Sequence, residues 1–378
     1  MTLTNKSPNL WKPFQEFELD ILLPPTIYDI AKAARVGIGT VSRVLNNHPN
    51  VSLSTRTRVL TVANRLNWQP HPYARGLARQ KTNSVLAVVP FFSTYFFVEV
   101  LRGVQSKLAE MEHDLILYGI NDPHHVEELL NKNTLRMRVD GVLFLSMTVP
   151  ENFVEQYERL KVPIVLVDTK RKDLDSVYVE NVKGAFTATT HLISLGHKRI
   201  GMLNASMRSQ PVRERLEGFK EAMNEAEIEI NPRLMVSTNS TILDGFTREC
   251  GYELMKDLLQ LGSARPTAVL VSSDIQASGA LWAIEEAGLH CPEDIAIVGF
   301  DDIELASHLR LTTMRQPMFD MGVLAARKLE ERINGSQLPP ANNPFVPELI
   351  IRETCGAKRR PIQEAEGKQA PLVHVDTL

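Results

Sequence analysis

A change of hydrophobic period near residue 84 constrains the fold more than any other feature of this chain. From Ser84 onward, short apolar runs recur as SVLAVV, LILY, GVLFL, PIVLV, RIGML, AVLVS and DIAIVG. Each has the length and β-branched content of a strand. Amphipathic stretches at Phe97 to Met111, Val182 to Leu195, Arg213 to Glu225 and Ile275 to Ala287 lie between them. Continuous apolar strands separated by helices are what a parallel sheet covered on both faces requires. The reading is therefore α/β, with enough runs for two separate parallel sheets.

Before residue 84 the period is helical only. Thr26 followed by Asp29 makes a capping-box-like start, and Ile27, Ile30, Ala31 and Ala34 share one face, which predicts a helix over 27–34. A short break leads to GTVSRVLNN, where Val41, Val44 and Leu45 form the inward stripe. Ser52 caps a third helix that buries Val59, Val62, Ala63 and Leu66, and Asn67 takes a left-handed cap before Pro70. Two short helices joined by a tight turn and backed by a third make an all-α helix-turn-helix headpiece. The basic segment HPYARGLARQK that follows is too short and too poor in apolar surface to be a stable helix alone.

Charge is distributed unevenly along the chain. Residues 26–81 hold nine lysines and arginines and one acid, Asp29; this is +8 against −3 for the whole chain, so the rest carries −11. A compact basic module suits phosphates, and an acidic remainder discourages indiscriminate binding elsewhere. In a helix-turn-helix the second helix enters the major groove by its N-terminal residues. Those are Ile38, Gly39 and Thr40, with Arg43 one turn further on the same face. Arg43 is the natural base reader, because a guanidinium bonds guanine O6 and N7 together. Ser42, Asn46, Ser52 and Thr55, with Thr40 itself, suit phosphate oxygens, which set register.

Other classes are disfavoured. No apolar run approaches the roughly 20 residues of a spanning helix, and the first residues lack a signal-peptide pattern, so a cytoplasmic protein without membrane contact is expected. Cys250, Cys291 and Cys355 have neither paired spacing nor a histidine cluster, so no disulfide framework, metal or cofactor is expected. An enzyme would need a nucleophile with a base, a phosphate loop or metal ligands, and the sequence offers none.

The string YDIAKAARVGIGTVSRVLNNHPNVSLSTRTRVLTVANRLNWQPHPYARGLARQKT resembles the DNA-binding end of the lactose-repressor/galactose-repressor family, with TVSRVLN its most specific part. The likeness continues through VPIVLVD, HLISLGHKRIGML, RERLEGF, AVLVSSD, IAIVGFDD, LTTMRQP and ELIIRET, over roughly residues 26–355. It implies a headpiece, a hinge helix and a two-lobed core like that of periplasmic binding proteins. The expected division is an extension at 1–25, read as disordered; the helix-turn-helix at 26–69; the hinge at 70–82; the core at 83–356; and a disordered tail at 357–378. Lobe one takes 83–180 and 316–345, lobe two 181–315 and 346–356.

Position by position, the family's base readers fall on Ile38, Gly39 and Arg43, and its minor-groove residues on His71, Ala74, Arg75 and Leu77, with Leu77 as the wedge between base steps. Arg35 stands where the turn often has glycine, and Gly37 where the second helix usually has a serine cap. Effector positions fall on Asp168, Arg215, Ser273, Asp274 and Asp301, with Tyr95, Phe96 and Phe300 as possible aromatic faces for a sugar ring. For the aromatics, a place in the core is an equal alternative, and Asp301 and Asp302 could cap or bridge. The resemblance implies a homodimeric regulator, with repression as the expected direction, that binds double-stranded operator DNA and answers to a small-molecule effector, a carbohydrate first. Regulation by a partner protein stays open, and a solute-binding protein is a weaker alternative.

Overall fold

The computed structural model describes residues 25–68, 82–91, 93–120 and 139–357. The expected extension up to residue 24 and the hinge residues His71, Ala74, Arg75 and Leu77 lie outside them, as does the tail from residue 358. The chain divides into two compact units, Met1–Gln80 and Lys81–Leu378.

The first unit contains α1 (Ile27–Ala34), α2 (Ile38–Leu45) and α3 (Leu53–Arg65). Local signals place their ends. The Asp29 carboxylate accepts from both the backbone N–H and the hydroxyl of Thr26, each at 2.7 Å. Ser52 accepts from Thr55 N–H at the start of α3, and Asn67 takes the left-handed conformation (φ 49°). Ile30, Ala34, Val41, Val44 and Val59 are buried together, with Trp68 packed at their margin.

The second unit holds two six-stranded sheets. The first has the order β11-β5-β4-β3-β1-β2, from β1 (Ser84–Val89), β2 (Asp114–Gly119), β3 (Gly141–Leu145), β4 (Ile164–Val167), β5 (Asp175–Val179) and β11 (Asn342–Phe345), all parallel. The second has the order β12-β10-β9-β8-β6-β7, from β6 (Ile200–Asn204), β7 (Met235–Ser237), β8 (Ala268–Val271), β9 (Ala296–Asp301), β10 (Thr312–Arg315) and β12 (Glu348–Ile350). Here the sheet departs from an all-parallel expectation, because β12 runs antiparallel to β10. The link from β11 to β12 is too short for a crossover helix, so the chain enters the second sheet from its edge in the reverse direction.

Alternation explains why the central strands read as unbroken apolar runs. Val85, Ala87 and Val89 face one core of the first sheet while Leu86 and Val88 face the other. The second sheet repeats this, with Val269 and Val271 on one side and Ala268 and Leu270 on the other. Strands β5 and β10 escaped the sequence reading because they carry buried polar side chains with partners. Asp175 accepts from Arg332 at 2.6 Å, and the Thr312 hydroxyl accepts from the Arg352 N–H at 2.9 Å.

The helices are α4 (Tyr95–Glu110), α5 (Glu151–Arg159), α6 (Asn181–Ser194), α7 (Gln210–Glu225), α8 (Arg248–Leu259), α9 (Asp274–Glu286), α10 (Glu304–His308) and α11 (Met318–Ile333). Of these, α5, α8, α10 and α11 were not placed from sequence. The chain passes between the sheets after β5, after β10 and after β11; after β10 it enters α11, whose Met318, Met321, Ala325 and Leu329 return to the core of the first sheet. Helices α4 and α11 cross at glycines: a Cβ on Gly103 would strike the Phe319 carbonyl, and one on Gly322 the Val100 carbonyl. That close approach fixes where α11 docks. No helix among the described residues is long and apolar enough to cross a membrane.

Candidate functional sites: a helix-turn-helix face and a cleft between two sheets

In the first unit, α2 turns Val41 and Val44 into the core and leaves the opposite face open. Ile38 is exposed, Gly39 has no atom within 4 Å of where a Cβ would stand, and Arg43 is exposed without a carboxylate partner among the described residues. Thr40 and Ser42 are half-buried beside them. Arg35 occupies the turn with φ 54°, a left-handed conformation that costs a side-chain-bearing residue about 1–2 kcal/mol. The turn thus forms without its usual glycine.

Several of the residues expected at phosphates also serve the headpiece itself. Asn46 donates to the Ser42 carbonyl at 3.0 Å, closing α2, and the Ser52 hydroxyl donates to that of Thr55 at 2.9 Å. Arg56 is bound inward, to Asn47 Oδ1 at 2.9 Å and the His48 carbonyl at 2.7 Å, where it braces the loop between α2 and α3. Lys32, Arg35, Arg43, Arg58 and Arg65 are exposed cations, and Asp29 is engaged in its cap. The exposed surface of the headpiece is therefore strongly positive.

In the second unit a cavity of about 450 Å³ opens between the strand ends of the two sheets. Tyr95, Phe96, Asp168, Arg215, Ser273 and Asp301 all line it, so the structure brings together six effector positions scattered over the sequence. The acids sit on unusual backbone. Ser146 (φ 49°) and Asp168 (φ 60°) end β3 and β4, and Asp301 (φ 131°) and Asp302 (φ 60°) end β9. Residues with a Cβ occupy such regions at a cost of about 1–3 kcal/mol each and cluster at functional sites.

The Asp168 carboxylate accepts from the Ser146 hydroxyl at 2.5 Å. Burial pushes it up to about 7, against the opposing pull of Ser146 and Arg215. Desolvation likewise raises half-buried Asp301, to about 6, with Arg215 and Gln316 opposing. Between them Arg215 is buried; its Nε donates to Asn181 Oδ1 at 2.9 Å and its Nη1 to the Ser272 carbonyl. Burial lowers its affinity for the proton while Asp301 and Asp168 raise it. Its guanidinium carbon lies 3.7 Å from the centroid of the Phe300 ring.

One expectation is corrected, and one open alternative falls on the core side. Asp274 does not line the cavity: it is fully buried, and its carboxylate accepts from the Thr313 hydroxyl at 2.6 Å and from Ile303 N–H at 3.0 Å. It fastens α9 to β10 and the end of β9, and a Cβ on Gly299 would collide with it. Phe300 is also buried and supports Arg215 from beneath, because strand alternation turns it away from the side on which Asp301 lies. Tyr95 is half-exposed at the cavity, whereas Phe96 also packs on the core and meets Phe97 edge-on at 5.2 Å. Asp302 bridges Arg315 and Arg352, at 2.7 and 2.6 Å.

The sequence reading missed Ser146, Arg208, Phe246 and Gln316 in the cavity wall. Gln316 stood inside the quoted string LTTMRQP; the other three had no local signal. Among the described residues no three histidines, cysteines or acids converge as a metal site.

An exposed helix-turn-helix face and a separate polar cleft between two α/β lobes define a class, a DNA-binding regulator with its own sensor. Comparison with known proteins agrees. Residues 26–71 match the model of bacterial regulatory proteins of the lacI family, and residues 189–355 match a periplasmic binding protein-like domain. Catabolite control protein A of Priestia megaterium is 34% identical over 316 residues, covering 82% of this chain and 92% of that protein. Among solved structures, the cellobiose complex of the transcriptional regulator CelR is similar with a TM-score of 0.65 at 30% identity, covering 87% of this chain and 99% of that one. The Lac repressor dimer bound to operator and the anti-inducer ONPF gives a TM-score of 0.74 at 25% identity, covering 88% and 100%. The chain belongs to the lacI family and is a DNA-binding transcription regulator, not an enzyme.

Proposed function

We propose that this regulator works in the cytoplasm as a homodimeric repressor, and that a sugar held between its lobes sets its affinity for a pseudo-palindromic operator. The observation that carries the sugar reading is the cleft lining, where the Asp168 and Asp301 carboxyls and the buried Arg215 guanidinium share one cavity with the rings of Tyr95 and Phe96. Acids and arginine bond hydroxyls, and rings cover the apolar face of a pyranose. The cellobiose and operator in the complexes of CelR and the Lac repressor favour the same assignment. Ile38, Gly39, Thr40 and Arg43 would read the major groove. Ser42, Asn46, Ser52 and Thr55 would meet phosphates, and His71, Ala74, Arg75 and Leu77 the minor groove. Asp168, Arg215, Ser273, Asp301, Tyr95 and Phe96 would surround the effector, with Asp274 supporting the floor from behind.

Coupling between the sites is a linkage: an effector that prefers one lobe arrangement shifts operator affinity by its differential affinity for the two states. The deciding experiment measures operator binding by fluorescence anisotropy with and without sugars, sugar phosphates and nucleobases. A sugar that moves the operator Kd supports the reading. A nucleobase that does so, or no response to any sugar, overturns it.

A further inference from the structure

Helix α3 carries two rows of side chains that the proposed DNA contacts leave unused. Leu53 and Leu60 are 79% and 42% exposed, and Arg58 and Arg65 on the same helix are exposed as well. Residues seven apart return to nearly the same line along a helix, so the leucines form one row and the arginines a second. No acid occurs in α3, and Asp29, the single acid of residues 26–81, is engaged in the Thr26 cap. The two arginines thus have no carboxylate partner among the described residues, and the leucine row stands outside the headpiece core.

The segment that precedes the headpiece, outside the described residues, has the complementary pattern. Residues 10–23, LWKPFQEFELDILL, interleave Glu16, Glu18 and Asp20 with Phe17, Leu19 and Ile21. A segment that stays solvated is poor in aromatic and branched apolar residues. This one also holds Trp11 and Phe14, and so calls for a surface to cover. In an extended chain alternate residues point to opposite sides, which would set the three carboxylates against one row of α3 and the apolar side chains against the other. Charge selects the surface: residues 14–23 carry −3 and residues 26–81 carry +8, while the chain outside 26–81 carries −11. The segment is therefore drawn to the headpiece and repelled elsewhere. Its reach suffices, because fourteen extended residues span about 46 Å and α3 is only about 20 Å long. They join the chain just before the Thr26 cap of α1, which shares a core with α3.

We propose that residues 10–23 are an autoinhibitory arm that docks on the outer face of α3 of the same chain, its apolar side chains on Leu53 and Leu60 and its carboxylates toward Arg58 and Arg65. Leu53 lies between Ser52 and Thr55, so an arm over it covers the candidate phosphate contacts at the start of α3. Its acids also offset part of the positive charge on which phosphate binding depends. DNA and arm thus compete for the headpiece, and the apparent DNA affinity falls to the fraction of headpieces left uncovered. This goes beyond the operator-and-effector reading and rests on DNA binding alone, whatever the effector is.

Amide exchange of the full chain without DNA should show protection within residues 10–23, and the double variant Leu53→Ser/Leu60→Ser should abolish it. Fluorescence anisotropy with operator and with a duplex of unrelated sequence, at about 50 and about 200 mM salt, reads the competition. Removing residues 1–23 should tighten binding to both duplexes by the same factor, about tenfold for each headpiece whose arm is docked about nine-tenths of the time. The gain should shrink at the higher salt, where the ion pairs of the arm are screened. Leu53→Ser/Leu60→Ser changes no charge, and it should reproduce the gain in the full chain and add nothing to the truncated one; circular dichroism melting verifies that both proteins fold. Fast exchange throughout residues 10–23, or DNA affinity unchanged by truncation, overturns the arm. If truncation tightens binding and the leucine variant does not, the acids act through bulk charge and docking on α3 is overturned. Protection that is lost on dilution would place the arm on a second copy and overturn the intramolecular contact.

Discussion

Arg43 in the headpiece and Arg215 in the core carry the same guanidinium in opposite settings. Arg43 is exposed on α2, with no carboxylate beside it among the described residues. Arg215 is buried, bonded to Asn181 and Ser272, stacked on Phe300 and flanked by Asp168 and Asp301. A charge left in water costs the fold little and remains free to meet a phosphate or a base edge. A charge taken out of water must be matched internally, and whatever enters the cleft disturbs that match. The headpiece thus offers its charge outward as a rigid surface, and the core holds its charge inward as a balance that a ligand can tip.

Substitution separates the two roles. Arg215→Ala leaves the buried Asp168 and half-buried Asp301 carboxyls without their neighbouring cation and uncovers one face of Phe300, so the core should lose about 3–5 kcal/mol of stability. Its response to effector should vanish, as read by denaturant unfolding and calorimetry. An unfolding midpoint like that of wild type would mean that the buried charge is not a structural element.

The next effect is one of pH. Asp168 and Asp301 titrate near 7 and 6 in the folded protein, against 3.8 for an ordinary aspartate. The folded state therefore holds these protons more tightly than the unfolded chain does, so their contribution to stability is present at low pH and falls as pH rises from about 4 to about 7. Asp168→Asn, neutral throughout, should flatten the melting profile across that range. An unchanged slope would contradict the raised acid.

Arg43→Ala should leave folding intact, because the side chain is exposed on α2, and should lower discrimination at one base pair by about 1–3 kcal/mol. Competition between the best operator and a version changed at that pair reads this out. Preference identical to wild type would remove Arg43 from the base readers. The smallest effect belongs to Arg35→Gly, which relieves a left-handed side chain but adds freedom to the unfolded chain; a net gain under about 1 kcal/mol is expected. Slower amide exchange in α1 and α2 would register it, and faster exchange would show that the Arg35 side chain supports the turn.

Much of the headpiece was legible because its signals are local. Thr26 with Asp29, Ser52 with Thr55, and Asn67 each act within a few residues of chain, and each appears in the structure where the spacing places it. Strands such as SVLAVV and AVLV were legible for a related reason, since burial on both faces leaves an unbroken apolar run. The cleft was legible only in part. Asp168, Arg215 and Asp301 were found by resemblance, yet the same reasoning sent Asp274 to the ligand and left Phe300 open between a ligand face and the core. Nothing in the strings SSD and GFDD distinguishes an acid that faces the cavity from one that binds Thr313, or a ring above Arg215 from one below it.

The sequence by itself determined the helical headpiece with its isolated positive charge, and the alternating α/β pattern behind it, because capping, periodicity and composition act over a few residues. The tertiary structure decided which polar groups meet. Ser146 reaches Asp168 across 22 positions, and Arg215 reaches Asn181 across 34. Hydrogen bonds between distant strand ends depend on register, alternation and the three passages between the sheets, and those are properties of the folded chain, not of any stretch of it.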